Sequence, residues 1–478
     1  MPREEINILL LNSYTSPEYK MVTSGRCQIK RIPGMGIWPP VDLAQIAAML
    51  KEYSNRISII DFMLLNISAE EAISRINILN PGVIVLHSST PSFKSDICFI
   101  RKIKLLLPHV KVILFGLHTT SCPEDILSSD IEYVVRAEPE VTVSSLVAAF
   151  VSDSKSLDGV LGISYWRNGR VFHNPGRGYI DDLDSLPFPA WEYLDVKKYV
   201  LPYDNNPFLI INVSRGCPFH CIFCTSHVYY GNRWRCRSPE NVVLEIEEIV
   251  AKYGINNFLF LSDTFNFSKD FIFSLCGLII RRELNIKWMC NSRVDILEKE
   301  SLKIMKEAGC WLISLGIESA SESILEHVNK GITARQSKDA ISAIRKAGIK
   351  TLCYFVFGLP GENVVTIQKT IDFIKNCGCD YGHFYSATPF PGTEFYRLAK
   401  DAGWLLSEDW SRYSHGSSDV ISYPQLSADA IRSSVTKAYR SFYLRPQVFW
   451  RELLSIKSPE QLISFLRIAL DLFKISAG

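Results

Sequence analysis

Short apolar runs alternate with amphipathic stretches over the first 150 residues of this chain. The runs have the length of buried strands, and the stretches between them have the 3.6-residue period of helices. Such alternation predicts an α/β domain, in which a doubly wound parallel sheet carries helices on both faces. The predicted strands are 8–11, 57–60, 83–86, 112–115 and 133–135, and the predicted helices are 41–50, 69–76, 94–107 and 141–150.

Small, hydroxyl-bearing and polar residues follow three of these predicted strands. Ligands of doubly wound sheets bind beyond the carboxyl ends of the strands, where small residues permit close approach and hydroxyls donate hydrogen bonds. The same residues are also typical of ordinary turns. No G-x-G-x-x-G follows the first strand, which argues against a dinucleotide site. The candidate ligand contacts are Ser88, Ser89, Thr90, Gly116, His118, Thr119 and Glu138.

Three cysteines lie within eight residues, just after a predicted strand that begins near residue 209. Cys217, Cys221 and Cys224 have x3 and x2 spacing, which wraps a short loop around one iron–sulfur cubane. Three thiolates would ligate three irons and leave the fourth iron free to chelate a small molecule. Two alternatives remain: a zinc site completed by His220 or His227, and unliganded thiols of a core.

Five more strand-like runs follow the cysteine loop, each separated from the next by a helical stretch. Six β-α units between residues 209 and 395 predict a partial (β/α)6 barrel with its site at the carboxyl ends of the strands. Asp263, Arg293 and Glu318 follow three of these strands. Such groups suit a ligand with an ammonium group, a carboxylate and ribose hydroxyls.

These segments together resemble the cobalamin-dependent class of the radical S-adenosylmethionine (SAM) superfamily. In the second half, the cysteine loop and residues 316–319, 357–362 and 389–393 carry the resemblance, and in the first half residues 38–41, 116–118 and 135–140 do so. It covers about residues 6–395. Two residues depart from the usual pattern of this class. Ala137 stands where glycine is usual, and Leu117 departs from the common Gly-Gly-Pro-His segment.

The resemblance implies three cofactors: a [4Fe–4S] cluster, SAM and cobalamin. It implies that Phe223 contacts SAM along with the three polar barrel residues, and that Pro40 joins the strand-end residues of the first domain around cobalamin. The Asp-x-His-x-x-Gly segment that supplies a lower cobalt ligand in many cobalamin proteins is missing. We therefore expect cobalamin without a histidine on its lower face, and we interpret His118 as a loop residue.

The resemblance also implies radical chemistry. The leading hypothesis is methylation of an unactivated carbon of a small or medium organic substrate, through a 5′-deoxyadenosyl radical and methylcobalamin. An alternative in the same class is cyclisation or rearrangement without methyl transfer. A hypothesis from another class is a non-catalytic sensor that binds zinc and cobalamin. Metal analysis distinguishes the two, because iron and sulfide support the enzyme and zinc supports the sensor. An external electron donor such as flavodoxin or ferredoxin would reduce the cluster.

Domain boundaries and partners follow from the rest of the pattern. We expect a cobalamin-binding domain at 1–150, a connector with a hairpin at 151–208, the barrel at 209–395 and a helical region at 396–478. The stretch 462–473 is amphipathic, so contact of the C-terminal region with a membrane remains an alternative. A net charge of +2 does not favour nucleic acid. Thirteen scattered cysteines and no signal peptide predict a cytoplasmic protein.

Overall fold

Two parallel sheets follow each other along the chain, as the alternating pattern predicts. The computed structural model describes residues 6–14, 21–24, 27–30, 36–154, 156–201, 205–414, 419–446, 448 and 450. The amphipathic stretch predicted at 462–473 lies outside the described residues. None of the described helices is both long enough and apolar enough to cross a membrane.

The first domain contains all five predicted strands and all four predicted helices. It also contains the predicted hairpin of the connector, together with a second hairpin and one short helix that were not predicted. Its strands are β1 Ile8–Asn12, β2 Met21–Ser24, β3 Cys27–Lys30, β4 Ile57–Ile60, β5 Val83–His87, β6 Lys111–Phe115, β7 Tyr133–Val135, β8 Ile163–Arg167 and β9 Arg170–His173. Its helices are α1 Val41–Leu50, α2 Ala69–Leu79, α3 Phe93–Leu106, α4 Leu117–Ser121 and α5 Glu140–Val151.

The main sheet has the order β4-β1-β5-β6-β7-β8-β9, and its first five strands are parallel. Alternate side chains of each strand point to opposite faces. Leu10 and Val85 therefore pack under α1 and α5, whereas Leu11 and Leu86 pack under α2 and α3. The chain order switches between β1 and β5, so this edge is where a doubly wound sheet binds ligands.

The hairpin predicted between the domains is confirmed, and it continues the first sheet. Strands β8 and β9 pair antiparallel, and β8 pairs with β7. The two turn residues, Asn168 and Gly169, both have positive φ angles of 51° and 79°. This geometry is that of a tight hairpin turn whose twist matches the strands.

The second sheet contains six parallel strands in sequential order, which confirms the partial barrel. Ser238 caps α7 and Pro239 is its first residue, as a helix start requires. The strands of this half are β10 Leu209–Asn212, β11 Ser214–Arg215, β12 Arg235–Cys236, β13 Asn257–Leu261, β14 Lys287–Ser292, β15 Cys310–Glu318, β16 Lys350–Phe357 and β17 Tyr381–Ser386. Its helices are α6 Ser226–Tyr229, α7 Pro239–Tyr253, α8 Lys269–Arg281, α9 Lys299–Glu307, α10 Glu322–His327, α11 Ala334–Lys346, α12 Val364–Asn376 and α13 Glu394–Asp401.

The last described helix, α14 Ala428–Tyr443, packs on the edge strand β17 and on α12. Tyr439 meets Phe384 edge to face with ring centroids 4.8 Å apart, and the Tyr443 hydroxyl donates to the Gly382 carbonyl at 2.9 Å. The described part of the C-terminal region thus covers the open edge of the barrel sheet.

Candidate active site

The cysteine loop is closed at its base by a short antiparallel pair. Ser214 pairs with Cys236 and Arg215 pairs with Arg235, so the two ends of the loop lie side by side. Gly216 begins the loop with φ +79°, and a Cβ there would lie 2.2 Å from the Arg233 carbonyl oxygen. A side chain cannot be placed at this position without moving backbone, so glycine is required for the loop to close.

The three predicted cluster ligands lie together at the carboxyl ends of the barrel strands. Cys217 and Cys221 are buried, Cys224 is half-buried, and none of the thirteen cysteines forms a disulfide. The Cys217 Sγ lies 3.3 Å from the Thr264 hydroxyl. The loop therefore brings three thiols to one place, which fits the donor set of an iron–sulfur cubane.

Two cations lie close to the middle cysteine. Burial raises the pKa of the Cys221 thiol, and the Lys330 ammonium and the Arg293 guanidinium oppose this rise. The Arg293 Nη1 is 3.9 Å from the Cys221 Sγ. Arg293 also pairs with Asp295 at 3.0 Å and stacks over the Phe219 ring at 3.7 Å. The structure thus places Arg293 against the cysteine loop and outside the wall of the cavity described next.

A cavity of about 340 Å³ lies between the two domains. This volume is within the range of about 300–1,000 Å³ that is usual for small-molecule sites. The β2–β3 hairpin and the segment before α1 contribute one side of the wall, and the cysteine loop with the barrel strands contributes the other. The predicted site residues in the wall are Pro40, Phe223, Cys224, Asp263 and Glu318.

The two acidic residues of the wall that the sequence predicted are held in different ways. The Asp263 carboxylate accepts a hydrogen bond of 3.0 Å from the Gly216 amide, which ties β13 to the cysteine loop. Glu318 has φ +64° and accepts a hydrogen bond of 2.7 Å from the buried Lys330 ammonium. A Cβ on Gly316 would lie 2.5 Å from the Glu318 Oε1, so this pair packs directly on a glycine backbone.

Lys330 was not found from the sequence, because it follows a helix rather than a strand and belongs to no motif. It reaches the site only through the fold, which brings the end of α10 under the cysteine loop. Lys330 and Glu318 are 8% and 7% exposed. A buried ion pair of this kind fixes the orientation of the carboxylate that faces the cavity.

Seven of the eight cobalamin candidates lie outside the cavity wall. Three serine hydroxyls, of Ser13, Ser88 and Ser92, donate to the Asp96 Oδ2 at 2.6–3.0 Å. The Ser89 hydroxyl donates to Gln28 at 3.0 Å. Ser88 and Ser89 are therefore engaged in a buried network, and Thr90, which is 1% exposed, lies beside it.

This network predicts a pH-dependent stability. Burial raises the pKa of Asp96 to about 7, against its model-peptide value near 3.9. The folded chain therefore binds a proton that the unfolded chain releases between about pH 4 and pH 7, and the free energy of unfolding should fall as the pH rises through this window. The fall is at most about 1.4 kcal/mol per pH unit.

Asp96→Asn should remove this contribution while keeping an oxygen that accepts from the serines. Urea unfolding at a series of pH values should then give a shallower slope for the variant than for the wild type between pH 4 and pH 7. Equal slopes would show that Asp96 does not titrate in this range.

The residues after β6 turn away from the cavity. Gly116 has φ +137°, and a Cβ there would lie 1.9 Å from the Ser88 carbonyl oxygen, so only glycine fits. The Thr119 hydroxyl donates to the Gly116 carbonyl at 2.9 Å. His118 is fully buried, stacks on Phe93 with centroids 4.0 Å apart, and its Nε2 lies 3.4 Å from Asp125. The structure thus places His118 in a packed layer behind the strand end.

Glu138 belongs to an ion-pair cluster between the two domains. Its carboxylate accepts from Arg235 at 2.9 Å and lies 3.4 Å from the Arg215 guanidinium. Arg215 also donates to Glu140 at 2.5 Å. All four side chains are at most 4% exposed. Glu138 and Glu140 precede and begin α5, whereas both arginines flank the cysteine loop, so the cluster joins the first domain to the base of that loop.

Comparisons with known proteins agree with this architecture. The model of the Radical SAM superfamily matches residues 211–374, and the model of the B12 binding domain matches residues 34–147. An uncharacterized methyltransferase of Pyrococcus horikoshii is 35% identical over 427 residues, which cover 89% of this chain and 92% of that protein.

Two further comparisons cover most of the chain. The anaerobic magnesium-protoporphyrin IX monomethyl ester cyclase of Rubrivivax gelatinosus is 28% identical over 86% of this chain and 74% of the cyclase. The solved structure of TsrM, a radical SAM methyltransferase from Kitasatospora setae with cobalamin and a [4Fe–4S] cluster bound, has a TM-score of 0.70 at 16% identity. That match covers 99% of both chains and shows that the folds agree.

The fold and the cysteine loop define a radical SAM protein that carries a B12-binding domain. The chain belongs to the cobalamin-dependent radical SAM family. This membership brings a [4Fe–4S] cluster, SAM and cobalamin as cofactors.

Proposed function

We propose that this enzyme methylates an unactivated carbon of a small or medium organic substrate. The observation that carries the proposal is the interdomain cavity, whose wall contains Cys224 and Asp263 from the barrel and Pro40 from the first domain. A cluster-bound ligand and a cobalamin-bound group could meet only at such an interface. The Pyrococcus horikoshii relative and TsrM, both described as methyltransferases, support the same reaction type.

Each group of residues has a separate task in this proposal. The three cysteines would hold the cluster, and an external flavodoxin or ferredoxin would supply its electron. Phe223, Asp263 and Glu318 would bind and orient SAM, and the apolar part of the wall would exclude water. When bound, the cluster and SAM supply the radical and cobalamin supplies the methyl group.

The volume of the cavity limits what it can hold in this conformation. About 340 Å³ suits a single ligand of nucleoside size, and a corrinoid is larger.

The second candidate is cyclisation or rearrangement without methyl transfer. The similarity to the Rubrivivax gelatinosus cyclase favours it, because that match spans 86% of this chain. Both candidates require cleavage of SAM to 5′-deoxyadenosine. Only methylation requires that the methyl carbon of SAM reaches the corrinoid and leaves S-adenosylhomocysteine.

The deciding experiment needs no substrate. The reconstituted enzyme with bound, fully reduced cobalamin is mixed anaerobically with SAM that carries a labelled methyl group. Methylation predicts label in the corrinoid fraction and one equivalent of S-adenosylhomocysteine. Release of 5′-deoxyadenosine with no label in the corrinoid would contradict methylation and favour the second candidate. Zinc in place of iron would contradict both.

A further inference from the structure

A histidine, a cysteine and an aspartate of the first domain lie together outside the interdomain cavity. His118 is in α4, Cys122 directly follows that helix, and Asp125 ends the short 3₁₀ turn Pro123–Asp125. A ring nitrogen of His118, the Sγ of Cys122 and a carboxylate oxygen of Asp125 all lie within 4.8 Å of one another. None of the three lines the cavity that contains Cys224. They therefore form a separate group of potential metal ligands.

The His118 ring is buried without a hydrogen-bond partner. Its side chain is 0% exposed, and within the part of the chain that the structure describes neither ring nitrogen makes a hydrogen bond. Its Nε2 lies 3.4 Å from the Asp125 Oδ2, but the two groups are not aligned for a hydrogen bond. A buried polar atom without a partner is unfavourable, and a ligand bound by that atom removes the cost. The ring thus points to a ligand beside Asp125.

Zn²⁺ is the metal ion that fits these three side chains. Cysteine, histidine and aspartate are all zinc ligands, whereas Mg²⁺ and Ca²⁺ prefer oxygen ligands alone. A thiolate and a carboxylate together balance the two charges of the ion, so the partly buried site has no net charge. Two ligands of a tetrahedral zinc ion lie about 3.3–3.6 Å apart. The distance between His118 and Asp125 already agrees with this geometry, and the Cys122 side chain completes it by a small adjustment.

The surroundings orient the carboxylate and leave it accessible. The Trp410 indole N–H donates to the Asp125 Oδ2 at 2.9 Å, and the Trp410 ring meets His118 edge to face with centroids 5.3 Å apart. Carboxylates that bind metal ions commonly accept a further hydrogen bond of this kind, which fixes their orientation. The Asp125 side chain is 40% exposed, so an ion can enter from solvent. The neighbouring Glu124 lies 3.1 Å from His173 instead.

We propose that His118, Cys122 and Asp125 bind one Zn²⁺ ion, with water as the fourth ligand. Binding releases the thiol proton of Cys122 to solvent, because a coordinating thiol is deprotonated. The inference goes beyond the proposed function, in which this group has no part. Helix α4 packs on α6, which begins two residues after Cys224. The ion therefore stabilises α4 at the place where the first domain meets the cysteine loop.

Zinc analysis of the holoenzyme tests the inference. The full chain with its assembled iron–sulfur cluster is dialysed anaerobically against buffered Zn²⁺, and zinc and iron are measured in the same sample. We expect about one zinc beside the full iron content, with X-ray absorption showing one sulfur ligand at about 2.3 Å and nitrogen or oxygen ligands at about 2.0–2.2 Å. Full iron content without bound zinc would overturn the proposal, and so would zinc with two or more sulfur ligands beside an intact cluster.

Two variants assign the zinc to these residues. Cys122→Ser and Asp125→Asn change side chains that are only partly buried, and each should weaken zinc binding at least about tenfold in competition with a chelating indicator. This is a lower bound, because even the loss of a group that only supports a ligand costs about 10–100-fold. Cys98→Ala removes an exposed thiol of α3 and should keep the wild-type affinity.

Unchanged zinc affinity in either Cys122→Ser or Asp125→Asn would overturn the assignment. The iron content of each variant shows whether it has folded and assembled its cluster. Failure of the wild type to hold iron would contradict the proposed function, whereas the two variants test the zinc site in either case. The failure of one proposal is thereby distinguished from the failure of the other.

Discussion

Simultaneous replacement of Cys217, Cys221 and Cys224 by alanine should abolish both the iron–sulfur cluster and SAM cleavage. The wild type reconstituted under anaerobic conditions should hold about four irons and four sulfides per chain. The triple variant should hold close to none, because each thiolate ligates one iron of the cubane. Iron and sulfide analysis measures the first effect, and mass spectrometry of 5′-deoxyadenosine measures the second.

Two control variants separate these ligands from the other thiols. Cys98 is exposed on α3, and Cys98→Ala should keep the full iron content. Cys377 and Cys379 have sulfurs 3.4 Å apart in a buried turn before β17. Their double alanine variant should also keep about four irons if this turn is structural. A triple Cys217, Cys221 and Cys224 variant that still loads the cluster would contradict the assignment.

Arg215→Met should destabilise the chain more than any exposed ion-pair variant. The substitution removes the guanidinium that pairs with Glu140 at 2.5 Å and approaches Glu138 at 3.4 Å. It leaves two buried carboxylates between the domains with only Arg235 to compensate them. Breaking a buried pair in this way costs about 3–5 kcal/mol. Urea unfolding at neutral pH measures the loss.

Arg101→Ala provides the matched comparison. Arg101 pairs with Asp130 at 2.9 Å, but the two side chains are 53% and 39% exposed. An exposed pair contributes about 0–1 kcal/mol, so this variant should unfold close to the wild type. If Arg215→Met behaved like Arg101→Ala, the interdomain cluster would not stabilise the arrangement of the two domains.

The sequence predicts both sheets because strands and helices follow from local patterns. The periodicity of α1 depends only on its own residues, and its predicted bounds agree with the structure. The cysteine loop is equally local, since three ligands fall within eight residues. Strand-end positions identify Asp263 and Glu318 for the same reason, because the ends of parallel barrel strands converge on one edge.

Side-chain direction and distant contacts could not be predicted in this way. Ser88 and His118 follow strands of the first sheet, yet one turns into a hydrogen-bond network and the other packs on Phe93. Glu138 is engaged by arginines about 80 to 100 residues further along the chain. His87, which ends β5 and lines the cavity, was not predicted, because its access to the cavity depends on how the two domains pack.

The most direct test of the central claim is the electron paramagnetic resonance spectrum of the reduced cluster before and after addition of SAM. The account predicts a [4Fe–4S] signal whose shape changes when SAM chelates the iron that has no cysteine ligand. This measurement needs neither a substrate nor turnover. A reduced cluster whose spectrum is unchanged by saturating SAM would contradict radical SAM chemistry at Cys217, Cys221 and Cys224.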